Sequence, residues 1–173
     1  MTVTEIIFPA LLYGAIISLV MTAMIFITFR WNPEMWVHDA PPKIRDRYGP
    51  VSDKAKRDSR IAAIPIFVLL GFILVYAIVG LHQRAAGPPG FWPIFLTLFV
   101  ALQTFNVFDL LVIDWLIVAT LNPRALMIPG TETWEGYNDY AFYFRGFLRG
   151  LIGITLANAI LGGVAALIGQ LVS

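Results

Sequence analysis

The chain has 173 residues, of which 58% are hydrophobic and only 13% charged, and its mean hydropathy is +0.76. A soluble domain carries about 25% charged residues, so this chain cannot cover itself with polar surface and its solvent must be lipid. It has no cysteine, which excludes disulfides, thiol catalysis and cysteine-ligated metals. The net charge of +1 says nothing as a total.

Four apolar runs, at about 6–29, 61–82, 92–117 and 146–172, take up most of the length. Each exceeds the roughly 20 residues that a helix needs to cross ~30 Å of hydrocarbon. None alternates with the period of two that a barrel strand requires. The reading is all-α: a polytopic transmembrane four-helix bundle forming one domain over 1–173, with loops at 30–60 and 118–145. Eleven of the twelve Lys and Arg residues flank or fill those two loops, and only Arg84 lies on the other side. Basic residues mark the cytoplasmic face, so both termini are expected outside. The N-terminal MTVTEIIFPALLYG has Glu5 as its only early charge, unlike the basic start of a signal peptide. Span one is therefore expected to be retained.

In span one, Ser18 and Thr22 share a helical face, where hydroxyls usually bond their own backbone or a neighbouring helix. Arg30 and Trp31 close the span as an interfacial anchor. In the first loop Pro33, Pro41, Pro42 and Pro50 break any single long helix. Trp31 and Trp36 suit the headgroup layer. Ser52 or Asp53 is placed to cap a helix running into span two, with Asp53–Arg57 and Lys54–Asp58 as i,i+4 pairs. The stretch 30–60 holds eight positive and five negative charges, a topology signal first and an attraction to anionic lipid second. His38-Asp39 falls short of the three or four ligands a metal site needs, and the other histidine, His82, is expected across the membrane. No metal and no cofactor, haem included, is expected.

Span two is almost purely apolar, with Pro65 in its first turns. The short Pro/Gly-rich turn HQRAAGPPG holds spans two and three antiparallel. Span three carries the main polar content: Gln103, Thr104, Asn106, Asp109 and Asp114. A carboxylate in hydrocarbon costs roughly 2.5–3.5 kcal/mol on insertion scales unless it is paired, hydrated or protonated. At α-helical pitch Asp109 and Asp114 stand about 140° apart, which argues against a paired-carboxylate acid/base device. The helix pattern continues to Asn122 and stops at Pro123. In the second loop Pro129-Gly130 is a turn, Asn138 or Asp139 a helix cap, and Tyr137, Tyr140 and Tyr143 are expected at the interface. No Gly-rich phosphate cradle follows a strand, so no nucleotide site is read. Span four is lined by Gly146, Gly150, Gly153, Ala157, Gly162, Ala166 and Gly169, spacing that lets helix backbones approach closely. Gly153 and Gly162 are expected to pack against other helices. Asn158 falls level with Asn106, in reach of a hydrogen bond. Arg145 and Arg149 match the depths of Asp114 and Asp109, and Asp109–Arg149 is the first expected pair.

The run FNVFDLLVIDWL, followed by NPR, IPGTE, GYNDY and FRGF over about 105–147, resembles a group of small bacterial integral membrane proteins with four predicted spans. The resemblance implies a bacterial cytoplasmic membrane and no activity. That group has a histidine just before FRGF. Here Ala141-Phe142-Tyr143-Phe144 occupies the place, so no histidine-based metal or proton role carries over.

The candidate polar cluster is thus Gln103, Asn106, Asp109, Asp114, Arg145, Arg149 and Asn158, with no catalytic and no metal-ligating set. The leading reading is a non-catalytic membrane subunit or scaffold with Asp/Arg pairs as structural staples. The alternatives are a small proton- or solute-linked transporter and an intramembrane enzyme at the cytoplasmic interface. The partners expected are membrane lipids and a homo-oligomer or larger membrane complex, with no nucleic acid.

Overall fold

A computed structural model of the protein describes residues 1–132 and 136–172. Residues 133–135 of the second loop and Ser173, at the expected outer C-terminus, lie outside the described residues. The described residues form helices and turns without strands. The order is α1 (Val3–Trp31), a 3-10 segment (Pro33–Asp39), α2 (Pro42–Tyr48), α3 (Asp53–Arg84), α4 (Phe91–Phe108), a π-helical continuation (Asp109–Leu121), a 3-10 turn (Arg124–Leu126) and α5 (Tyr140–Val172). Four of these helical stretches, with α4 and its continuation taken as one, are long and apolar enough to cross a membrane. The protein is an all-α, four-span membrane bundle. Each helix overruns its expected apolar run: α3 begins at Asp53 and α5 at Tyr140, because polar caps rather than hydropathy set their starts.

By contacts the chain divides into two compact units. Unit one is Met1–Leu19, Leu69–Val107 and Leu148–Ser173, and unit two is Val20–Val68 and Phe108–Phe147. Every span contributes one stretch to each.

Unit one has a core of Ile6, Leu81, Ile94, Leu98 and Ala166, drawn from α1, α3, α4 and α5. In lipid such contacts gain no hydrophobic driving force, so dispersion and interhelical hydrogen bonds must hold them. Close approach supplies the dispersion. A Cβ on Gly14 of α1 would stand 2.5 Å from Thr104 Cβ and 2.8 Å from the Ala101 carbonyl of α4. The Ser18 hydroxyl donates back to the Gly14 carbonyl at 2.8 Å, the expected fate of such a hydroxyl. On α5, Gly162 lies against the Phe95 backbone, 3.4 Å from its would-be Cβ, and Gly169 lies against His82 at 3.3 Å. Gly153 is different: nothing stands within 4 Å of its would-be Cβ, so its expected packing role is not met.

Unit two builds its largest buried cluster mostly from the chain outside the spans, with a smaller one of Leu110, Ala119 and Tyr143 within them. Phe29, Val37, Ala40, Ile44, Ile128 and Tyr137 form one buried cluster. The prolines divide the first loop as expected, into the 3-10 segment and α2, which ends at Gly49 with φ +86°. Gly136, at φ +117°, lets the second loop turn directly over Ile44, whose Cδ1 lies 3.0 Å from the would-be Cβ. The Tyr137 hydroxyl accepts from Ile128 N at 2.9 Å and shares a 2.7 Å bond with the buried Thr131 hydroxyl. Tyr137 and Tyr143 are therefore 3% and 6% exposed core residues, not the interfacial anchors expected, and only Tyr140 keeps an open ring. Trp36 is partly buried, packed against Met35 and Ala55.

Candidate functional site

The polar residues of the expected cluster fall into both units. Gln103, Asn106, Arg149 and Asn158 belong to unit one, and Asp109, Asp114 and Arg145 to unit two.

In unit one, α4 carries Gln103 and Asn106 one turn apart, so their amides can meet. Asn106 Nδ2 donates to Gln103 Oε1 at 3.0 Å, and Gln103 Nε2 donates to the Leu151 carbonyl of α5 at 3.3 Å. Gly150 makes room for this chain: a Cβ there would sit 2.6 Å from Asn106 Oδ1. Asn158 does not join it. Its side chain is fully buried, and neither polar atom of its amide has a hydrogen-bond partner among the described residues. The expected Asn106–Asn158 bond is thus replaced by Asn106–Gln103. Gln103, one turn back on the same helix, takes the Asn106 amide N–H.

In unit two, the continuation of α4 winds as a π-helix. The Asn122 N–H donates to the Ile117 carbonyl at 2.8 Å and the Thr120 hydroxyl to the Trp115 carbonyl at 2.6 Å, both five residues back. The β-branched Val112, Ile113, Ile117, Val118 and Thr120 crowd the preceding turn of an α-helix, which lowers its advantage over a wider turn. Asn122, in the left-handed region at φ 42°, and Pro123 end the segment.

The winding overturns one expectation. In a π-helix residue i+5 stands one turn above residue i, so the 109/114 spacing brings Asp109 and Asp114 towards the same side. Asp114 feels the charge of Asp109, and both feel Asp39, at the end of the 3-10 segment. Desolvation raises the Asp39 carboxyl above its ordinary pKa even though the residue keeps surface exposure, with His38 pulling the other way. The buried Tyr143 lies in reach of the Asp114 charge. The indole Nε1 of Trp115, buried beside Tyr140 and Phe144, has no hydrogen-bond partner among the described residues.

The expected staples for these acids are absent from unit two's ion pairs. Among the described residues those pairs are Lys54–Asp58 at 2.6 Å, Lys56–Asp53 at 2.9 Å and Arg57–Asp58 at 3.8 Å, all in the first turns of α3. Neither Asp109 nor Asp114 enters one. Asp109 and Arg149 fall in different units, so that pair remains a proposal.

Lys54–Asp58 forms as its i,i+4 spacing predicts, whereas Asp53 takes Lys56 rather than Arg57. Ser52 Oγ caps α3 by accepting from Ala55 N at 3.1 Å. Two partners escaped the sequence reading. Asn32 Nδ2 donates to the buried Asp58 carboxylate at 2.9 Å, and Glu34 accepts from both Ser52 N at 2.6 Å and Ser52 Oγ at 2.7 Å. These contacts join the end of α1 to the start of α3 across some twenty residues, a range at which periodicity is silent. No group of three or more His, Asp or Glu among the described residues is placed to hold a metal ion.

No family model, no curated protein and no solved structure matches the chain.

Proposed function

We propose that the protein is a non-catalytic subunit or scaffold of a membrane complex, in the bacterial cytoplasmic membrane with both termini outside. The observation that carries this reading is the use of the intramembrane amides as helix glue. Gln103 bonds the α5 backbone, Asn106 bonds Gln103, and Gly150 is shaped to them. A translocation path needs such groups turned to solute. Here their hydrogen-bonding capacity goes into helix contacts, where polar side chains typically contribute about 0.6 kcal/mol and at most ~2. The basic asymmetry of the two loops supports the orientation.

A second reading, a proton-linked carrier, draws on Asp39, Asp109 and Asp114. Asp109 and Asp114 lie within electrostatic reach of Asp39, and the two stand on a π-helical segment of a kind often found at functional sites.

One pair of variants separates the readings. For a scaffold, Gln103→Leu lowers both the melting temperature and the recovery of native-size complex from mildly solubilised membranes. Asp109→Asn leaves proteoliposomes as proton-tight as the parent ones. Proton flux in parent proteoliposomes that Asp109→Asn abolishes, with the fold intact, would replace the scaffold by the carrier. A reporter fused after Ser173 that is active only in the cytoplasm would reverse the orientation.

A further inference from the structure

Outside the polar cluster, unit one has a cleft of about 220 Å³ between α1 and α3, lined by Tyr13, Tyr76, Val79, Gly80, Gln83 and Arg84. Its chemistry is graded along α3. Arg84 and Gln83 stand at the helix end, and Tyr76 lies eight residues earlier, about 12 Å deeper at 1.5 Å per residue. Gly80 sits between them and leaves room for a neighbour: a Cβ there would come within 2.7 Å of the Tyr13 hydroxyl. The glycine thus brings a phenol from α1 to the waist of the cleft. Tyr13 and Tyr76 hold each other edge to face, with centroids 6.2 Å apart.

The cation of this cleft is preset. Arg84 Nε donates to the Gly80 carbonyl at 2.8 Å, which lays the guanidinium along the helix. That bond takes one of its five N–H donors. Among the described residues no carboxylate lies within ion-pair distance of Arg84, and the Tyr13 hydroxyl has no hydrogen-bond partner. Towards the middle of the span the same helix face runs on through Phe72, 76% exposed, an apolar track beneath a polar, cationic mouth.

We propose that this cleft is a seat for one anionic glycerophospholipid. Arg84 and Gln83 take the phosphate, the Tyr13 hydroxyl takes the glycerol-ester region, and an acyl chain lies along Val79, Tyr76 and Phe72. Arginine suits the role because its planar fork meets phosphate through two parallel hydrogen bonds. The depth is right for a phospholipid: the cation stands at the last residue of the span, where headgroups begin, and the track beneath it is hydrocarbon-facing. The grading matches a phospholipid end to end, whereas a free anion would use only the mouth.

The test uses the full chain in neutral detergent micelles doped with equal amounts of phosphatidylglycerol and phosphatidylcholine, with bound lipid read by native mass spectrometry. The parent is expected to retain one phosphatidylglycerol in preference to phosphatidylcholine. Arg84→Gln is expected to lower that occupancy about tenfold, the usual scale of one charge-assisted contact. Gly80→Leu keeps the arginine but fills the cleft, and is expected to remove the adduct by a separate route. Arg30→Gln, in unit two, is expected to leave it unchanged, and excess inorganic phosphate is expected not to displace it. Thermal melts run alongside identify any variant that has lost its fold, in which case the other cleft variant decides. Equal retention of the two lipids by the parent, or unchanged retention in folded Arg84→Gln and Gly80→Leu, overturns the proposal. So does an equal loss in Arg30→Gln, or displacement by inorganic phosphate.

Discussion

Unit one is closed where side chains are missing, and unit two where they are buried. In the first, Gly14 and Gly162 bring α1, α4 and α5 close to one another's backbones, Gly150 makes room for the Asn106 amide, and an amide chain runs from Asn106 through Gln103 to the Leu151 carbonyl. In the second, Ile44, Val37, Ile128 and Tyr137, all outside the spans, pack with Phe29 at the end of α1 into a core of buried side chains. Charged and capping contacts at the head of α3 accompany it. The difference follows from solvent. Apolar burial near water is worth about 1.5–3 kcal/mol per large side chain, but inside lipid it is worth almost nothing, and fit takes its place. Truncation should therefore hurt unit two most, and enlargement unit one.

The largest expected loss is from Ile44→Ala. Ile44 is fully buried and lies under Gly136, so truncation costs about 2–5 kcal/mol in transfer and cavity terms. A melt in detergent reads it. A loss no larger than that of a truncation on the lipid face, such as Phe72→Ala, would mean that the loop core adds nothing.

Next comes enlargement in unit one. Gly14→Ala puts a carbon into the Thr104 side chain and the Ala101 carbonyl and should cost about 1–3 kcal/mol by overpacking. Gly153→Ala meets nothing and should hold or gain up to about 1 kcal/mol from helix propensity. Equal effects at the two glycines would remove close packing as unit one's principle.

Asn158→Leu tests the same unit with the opposite sign. An unpartnered buried amide costs on the order of 1–3 kcal/mol in mutational data. The near-isosteric leucine should therefore leave the melting temperature unchanged or raise it. A clear drop would show that the Asn158 amide holds the helices together.

The four spans were legible because hydropathy and length suffice to mark a membrane helix. Pro93 in the first turn and Pro123 as a stop were legible as well, because a missing N–H and a fixed φ act locally. The amide glue was half legible: the residues were right, but Asn106 took the partner one turn away instead of Asn158 across the bundle. What could not be read was anything set by winding or by long-range contact. A π turn leaves no glycine or proline signature in DLLVIDWLIVATL, so the angle between Asp109 and Asp114 was computed on the wrong helix. The burial of Tyr137 depends on Thr131, Ile128 and Ile44, the last of them far away in sequence. Gly14 and Gly80 gave no stripe to notice, because each is defined by the side chain that approaches it from another helix.

The smallest effects belong to two acids of the 3-10 segment in unit two, and they should differ in sign. Glu34 is held below the usual glutamate range, first by the Ser52 backbone N–H and then by the Ser52 hydroxyl. Its folded pKa lies under its unfolded one, so its contribution is full above the unfolded pKa and disappears as pH falls through the folded value. Asp39 is raised by desolvation, so the folded state binds the proton more tightly than the unfolded chain. Its penalty is absent below the unfolded pKa and grows as pH rises through the folded one. Melts of Glu34→Gln and Asp39→Asn from about pH 3 to 8 bracket both transitions. Glu34→Gln should be less stable than the parent at neutral pH and converge with it in acid. Asp39→Asn should match the parent in acid and exceed it at neutral pH. Curves that move together would show that one general charge effect governs the loop, and that the Ser52 contacts and the desolvation of Asp39 do not act separately on unit two.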